Sequence, residues 1–436
     1  MERYRVKKYL YITLAISMIT GVFISASAGA TRAQENSGAK KWTIMVYSNA
    51  DNNLDGDLVN DVLEMERAGL SNDVNIVVEI DRLNKPARRY CVTARDANSK
   101  PDDWGFSGKM VKDMGEIDMG DPKELVTFAK WACDNYPAAK YMLLIQNHGS
   151  GWKKRKADAF RGISYDDQSG HNISTKQLGS AIQTISSLMG KPIDIFATDA
   201  CLMQMLEVDY EIKDFVRYIV SSEEMVPGPG WSYESIFAPI MNDPKINARE
   251  LASMIPQAYA ESYKTSVKNS TTMSAVDCAF IEELSNAVDS FAKAYLEING
   301  DSNELAVVKA AVSKTQKFYD CTCIDIGHFM KLMVENSKNR KLIECAGKVL
   351  MAYQKAVFKS EITGVSTKNA SGMAIYFPTD HYNRYYDMIK FSKSNWDEFI
   401  KSIYKMGESY GDEPYDPTAS DADGVNSGFS FGRRQK

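Results

Sequence analysis

Several things are scarce in this chain of 436 residues, and each scarcity removes a class of function. Histidine occurs only four times. Cys321-Thr322-Cys323 with His328 lacks the second ligand pair that a zinc site needs, and His171 and His381 read as loop residues. Basic charge has no surplus: the net charge is −5, which gives nucleic acid no electrostatic footing. The seven cysteines are odd in number and scattered over a long chain, so they form no disulfide framework and leave at least one thiol free. Internal repeats are absent. The one long apolar run, Tyr9 to Ile24, is short for a membrane-spanning helix.

That run has another meaning. Arg3, Arg5, Lys7 and Lys8 precede it and small residues follow it, the pattern of a secretory signal peptide, assigned to residues 1–30. Cleavage after Ala28, Ala30 or Ala33 fits; an uncleaved anchor is the competing reading. The sequence therefore points to an exported protein, secreted or periplasmic, with no stable membrane insertion. The remainder, 44% hydrophobic and 25% charged, has the makeup of an ordinary globular domain.

Short apolar runs alternate with amphipathic helical stretches from about residue 40. Trp42 to Tyr47, Val74 to Ile80, Tyr141 to Gln146, Ile193 to Thr198 and Tyr218 to Ser222 read as core strands. Asp121-Pro122 starts a helix, the aspartate as N-cap and the proline in the first turn. Such alternation predicts an α/β, doubly wound, mostly parallel sheet with flanking helices over residues 40–243. Helical stretches dominate beyond Asp243-Pro244, with strand-like runs at 272–277 and 372–377, so residues 244–410 read as a helix-rich C-terminal α+β subdomain. Residues 411–436, rich in Asp, Ser, Gly and Pro, read as a disordered tail.

Two of the strands end in reactive residues. One run leads into Asn147-His148-Gly149-Ser150-Gly151, the other into Asp199-Ala200-Cys201, and a helix-like segment from Ser174 to Met189 lies between them. A strand–helix–strand unit makes the two strands parallel, so both ends open on the sheet edge where such folds place ligands. Singly, a cysteine there is more often a core thiol than a nucleophile. Jointly, His148 and Cys201 predict a thiol nucleophile with an imidazole to hold its proton and pass it to a leaving amine. The backbone N–H groups of Gly149 and Cys201 are the candidate oxyanion hole; losing one such donor costs on the order of 100-fold or more in rate. A helix expected to start near Leu202 would add a favourable dipole at the thiolate.

His148-Gly149-Ser150-Gly151-Trp152, Asp199-Ala200-Cys201-Leu202-Met203 and Ala50-Asp51-Asn52-Asn53-Leu54 resemble the clostripain family of cysteine peptidases, within the caspase–gingipain–legumain superfamily. Ser222-Glu223-Glu224, Pro227-Gly228-Pro229-Gly230-Trp231 and Gly372-Met373-Ala374-Ile375-Tyr376-Phe377-Pro378 extend the likeness over about residues 42–380. The resemblance implies a caspase-like fold, cleavage of peptide or protein substrates after Arg or Lys, and a dyad of Cys201 as nucleophile and His148 as acid/base. It places Asp199 in or near the pocket for the basic side chain, where a buried carboxylate would pair with guanidinium or ammonium. A cap or turn role is the alternative. Trp231 is a candidate wall through cation–π contact, or else packs under its loop. A second pocket acid is missing: Pro229 and Ser232 hold the places where it is expected.

The basic interval Lys153-Lys154-Arg155-Lys156 to Arg161-Gly162 reads by itself as a solvated loop. The resemblance implies a self-cleaving zymogen there, with Lys156 and Arg161 as candidate cut sites and light and heavy chains that stay associated. Asp51-Asn52-Asn53-Leu54-Asp55-Gly56-Asp57 imitates the start of an EF-hand, but Val62 replaces the closing glutamate and a strand precedes the loop. No cofactor is required for the chemistry and no metal ligands are assigned; the resemblance leaves a part for calcium open. The expectation is an exported cysteine endopeptidase. The rival is a catalytically silent binding or scaffold protein that kept the fold.

Overall fold

A computed structural model describes residues 39–69, 71–95, 98–153, 162–266, 269–298, 300–404 and 407–409. The expected signal peptide, the C-terminal tail beyond 410 and the candidate cut sites Lys156 and Arg161 lie outside these residues. No helix among the described residues is long and apolar enough to cross a membrane.

The apolar runs form the middle of one sheet. In chain order its first strands are β1 (Lys40–Ala50), β2 (Val74–Arg82), β3 (Ala87–Cys91), β4 (Lys109–Gly115) and β5 (Ala138–Gln146). A small hairpin, β6 (Ile163–Asp166) and β7 (His171–Ile173), stands outside the sheet, and β8 (Ile193–Asp199), β9 (Val216–Ser221) and β10 (Thr271–Asp277) follow. After β11 (Cys323–Asp325) the last sheet strand is β12 (Val357–Thr363), and β11 pairs instead with β13 (Ala374–Tyr376). The order across the sheet is β12-β10-β9-β8-β5-β1-β2-β3-β4. The five central strands, β2, β1, β5, β8 and β9, are parallel. Antiparallel strands finish both edges.

Every residue of β8 is buried, as is β5 from Tyr141 onward, because helices cover both faces. Alternation along the strands divides the core. Leu143, Ile145 and Phe196 pack with α2 (Pro122–Asn135) and α3 (Thr175–Met189). Met142, Leu144, Ile195 and Ala197 face the opposite layer, which holds α1 (Asp55–Arg67), α5 (Tyr233–Asn242) and α6 (Ala248–Tyr263). Asp121 caps α2 by accepting from the Lys123 N–H, as its sequence predicts. A capping box at Ser174 and Gln177 starts α3 and a left-handed Gly190 stops it, which fixes the crossover between β5 and β8.

The region after Asp243 is not closed off from the first. Beyond its helices it donates β10 and β12 to the main sheet, β10 pairing directly with β9. The described residues from Ala39 onward cluster as one compact unit, so the change of pattern at 243/244 marks a change from parallel to antiparallel strand addition.

Candidate active site

Register places the two reactive residues. β5 and β8 pair in parallel with Gln146 opposite Asp199, and His148 and Cys201 each follow two residues later. The Asn147 N–H bonds the Asp199 carbonyl oxygen at 3.3 Å and carries the ladder one step past the strands. Gly149 lets the two turns close: a β-carbon there would run into the carbonyl oxygen of Cys201. The chain then folds back on β6, the Ser150 N–H bonding the Gly162 carbonyl at 2.9 Å.

The loop after β1 holds the imidazole. Asn53 Oδ1 lies 2.7 Å from His148 Nε2, and Tyr165 meets the ring edge-on with centroids 6.1 Å apart. Nε2–H donating to that oxygen leaves Nδ1 as the basic nitrogen of the neutral ring. Asn147 ties the same turn down, donating to the carbonyls of Asn49 and Tyr165 and accepting from the Tyr165 N–H at 2.7 Å. This gives the stretch from Asp51 to Asp57 its occupation. Asp51 Oδ2 accepts from the Gln168 N–H, Asn52 Oδ1 from the Leu54 N–H, and Asp55 clasps Arg82 at 2.7 and 2.8 Å. These oxygens serve the protein's own turns and one ion pair, and among the described residues no three His, Cys, Asp or Glu side chains gather into a metal-ligand set.

Cys201 is 8% exposed, and none of the seven cysteines is disulfide-bonded. Its Sγ accepts from the Val226 N–H at 3.3 Å and lies 3.7 Å from the Val226 carbonyl oxygen. The helix expected at Leu202 does not start there. Leu202 has φ 61°, which no right-handed helix admits, and α4 (Leu206–Ile212) begins four residues later. The intervening chain is drawn into pairing by Gln204, whose N–H bonds the Ser222 carbonyl and whose carbonyl accepts from the Ala374 N–H. The helix dipole invoked for the thiolate is therefore absent.

Asp199 ends β8 on the layer of α1 and α5 and is 6% exposed. Its Oδ2 accepts from the Trp231 N–H at 2.9 Å and the Tyr233 hydroxyl at 2.7 Å, whereas Oδ1 has no hydrogen-bond partner. Burial pushes its pKa up to about 6, against the pull of those two donors. Gly230, at φ +60°, brings the loop close: a β-carbon there would lie 2.6 Å from Asp199 Oδ2. Trp231 itself is 1% exposed and stacked on Tyr233, with centroids 6.0 Å apart and planes 28° apart. Its ring thus packs beneath the loop, and its backbone N–H is what touches Asp199. Lys153, at the stem of the basic interval, donates to Thr322 Oγ1 at 2.8 Å and lies 3.5 Å from Asp320.

Sequence reading assigns no place to three residues that the structure sets against His148, Cys201 and Gln146. Asn53 lies inside a stretch that imitates the start of an EF-hand, which draws attention to its acids. Val226 contacts the thiol through its backbone, which no residue type announces. Asp61, on α1, had a signal: it falls on the stripe of Leu58, Val62 and Met65, where a charge is out of place.

The fold and the paired strand ends define a caspase-like α/β architecture built around a cysteine and a histidine. The comparisons give it a family: the model described as the clostripain family matches residues 46–403, and the chain belongs to that family. Clostripain from Hathewaya histolytica is 30% identical over 221 residues, covering 45% of this chain and 42% of that protein, so the match spans less than half of its relative. An inactive zymogen C11 protease from Parabacteroides distasonis superposes with TM-score 0.61 at 17% identity, covering 84% of this chain and 99% of that one. A secreted C11 cysteine protease from Bacteroides thetaiotaomicron, solved with an irreversible peptide inhibitor, superposes with TM-score 0.61 at 18% identity and the same coverage. These two likenesses speak to the fold.

Proposed function

We propose that this protein is an exported cysteine endopeptidase that cleaves after Arg or Lys and is made as a zymogen. The observation that carries the reading is the shared register of β5 and β8, with His148 and Cys201 at equal distances past the Gln146–Asp199 pair. His148 Nδ1 takes the Cys201 proton, the thiolate attacks the substrate carbonyl carbon, and the carbonyl electrons move onto an oxygen held by the Gly149 and Cys201 N–H groups. Collapse breaks the C–N bond, and the imidazolium gives its proton to the departing amine. Water, deprotonated by the same imidazole, then releases the acyl group from sulfur.

Asp199 supports the basic preference: it is buried, acidic, and has one oxygen to spare at the end of the strand that leads into the nucleophile. Family membership supports self-cleavage in the interval between Lys153 and Gly162, where Lys156 and Arg161 suit an enzyme of that specificity. The light and heavy chains then stay together, since β5 and β8 pair across the cut. Export rests on the leader sequence, and a secreted relative agrees with it. One observation favours a silent scaffold instead: the backbone of Val226 covers the thiol.

A panel of fluorogenic peptides varying only the residue before the scissile bond tests the reading, with Cys201→Ala run in parallel. Hydrolysis after Arg or Lys that disappears in the variant is the expected result. Hydrolysis after other residues would remove Asp199 from its role, and no hydrolysis even after tryptic nicking between 153 and 162 would favour the scaffold.

A further inference from the structure

α1 turns Leu58, Asp61, Val62, Met65 and Glu66 inward. A carboxylate on such a stripe is costly unless something pairs with it. Asp61 is 2% exposed; its Oδ2 accepts from Gln146 Nε2 at 2.8 Å and its Oδ1 has no hydrogen-bond partner. Asp199 divides its oxygens in the same way, Oδ2 engaged and Oδ1 unpartnered. The two are joined, because Gln146 Nε2 also bonds the Tyr233 hydroxyl at 2.7 Å and that hydroxyl donates to Asp199. Asp199, Tyr233, Gln146 and Asp61 thus form one buried chain of hydrogen bonds with a spare carboxylate oxygen at each end.

Among the described residues no cation pairs with either carboxylate. Burial raises the Asp61 pKa most, followed by the charges of Asp199, Glu64 and Asp57, all of them acidic. Arg67 approaches Glu64 at 3.7 Å, on the outer part of the helix. No metal-ligand set of three such side chains exists among the described residues, whereas two carboxylates suit a guanidinium or an ammonium, which offer several N–H donors to neighbouring acceptors. The loop after Glu224 has Pro229 and Ser232 where a second acid is expected, so this chain lacks that group on the loop.

We infer that Asp61 is the second acid of the pocket for the basic side chain, a specificity-determining residue supplied by α1 from beneath the site. The inference rests on the reading of Asp199 as the first. An arriving cation would answer the buried carboxylate charge that nothing else offsets, which makes a neutral side chain of equal shape a poor substitute.

The test uses the full processed chain and three peptides alike except for arginine, lysine or citrulline before the scissile bond. Citrulline keeps the shape of arginine without its charge. Wild-type enzyme that does not prefer arginine and lysine over citrulline overturns the pocket reading itself. Where that preference holds, Asp61→Asn is expected to lower the arginine-to-citrulline ratio of kcat/KM by about 10- to 100-fold. Asn preserves the shape and the Gln146 contact, and Asp61→Glu, which retains the charge, is expected to keep most of the preference. An unchanged ratio in Asp61→Asn overturns the inference. So does an Asp61→Glu enzyme that is folded by circular dichroism yet loses the ratio as fully as the asparagine variant.

Discussion

The thiol of Cys201 is covered by the backbone of Val226, whose N–H points at the sulfur from 3.3 Å and whose carbonyl oxygen lies 3.7 Å from it. On the proposed mechanism a substrate carbonyl must reach this sulfur, which requires the Val226 loop to move first. Glu224 holds that loop: its Oε1 accepts from the Met225 N–H at 2.8 Å and from the Tyr319 N–H at 3.1 Å. Lys153, at the stem of the basic interval, grips Asp320 and Thr322 in the same stretch. The stem of the proposed processing segment and the cover of the thiol are thus fastened to one short piece of chain.

Loosening that fastening exposes the nucleophile. Glu224→Ala removes two hydrogen bonds, each worth about 1 kcal/mol, and predicts iodoacetamide labelling of Cys201 about 5- to 30-fold faster in the uncut chain. Peptide-level mass spectrometry separates this thiol from exposed Cys321. An unchanged labelling rate would show that Glu224 does not hold the loop.

Asn53 orients the imidazole through the 2.7 Å contact with Nε2. Asn53→Ala frees the ring to turn and to change tautomer. Loss of such an orienting partner predicts kcat lower by about 10- to 100-fold with KM little changed. Asn53→Asp keeps the acceptor and should recover part of kcat. A loss expressed in KM alone would place Asn53 on the substrate instead.

Asp199 in the proposed pocket predicts a pH dependence particular to basic substrates. Its carboxyl, raised to about 6 by burial, is mostly protonated at pH 5 and mostly ionised at pH 7. Ionisation supplies the charge that attracts a basic side chain, so KM for arginine and lysine peptides should fall as pH rises through 6. KM for a citrulline peptide should not follow. Parallel pH profiles for charged and neutral peptides would take Asp199 out of the pocket.

Much of this site was legible because strands buried on both faces announce themselves. The runs ending at Gln146 and Asp199 are apolar over their length, and the helix between them is capped by a recognisable Ser174 and Gln177. That local pattern sufficed to bring His148 and Cys201 to one edge. What it could not carry was long-range pairing. β12 joins the sheet through β10, some ninety residues earlier in the chain, and nothing in Val357 to Thr363 names its neighbour. The break after Cys201 was hidden for the same reason, since Leu202 takes its left-handed backbone while Gln204 pairs with Ser222 and Ala374. Asp61 needed Gln146 and Tyr233 in view before its place on an apolar stripe meant more than a blemish.

The end of β2 holds a carboxyl that should govern stability. Asp81 is 0% exposed and neither of its oxygens has a hydrogen-bond partner. Burial, followed by the charges of Glu116, Asp166 and Asp51, raises its pKa to about 9. In the unfolded chain the same group ionises near 4. Between those values the folded protein keeps a proton that the unfolded chain releases, so Asp81 makes stability fall as pH rises from about 4 to 9. Asp81→Asn has no proton to release on unfolding and keeps the shape of the side chain. The variant should gain about 1–3 kcal/mol at pH 8 and show a flatter dependence of melting temperature on pH. Denaturant melts of both proteins at pH 5 and pH 8 measure this directly. A variant no more stable than wild type at pH 8, with the same slope, would mean that Asp81 is ionised in the folded protein and compensated there.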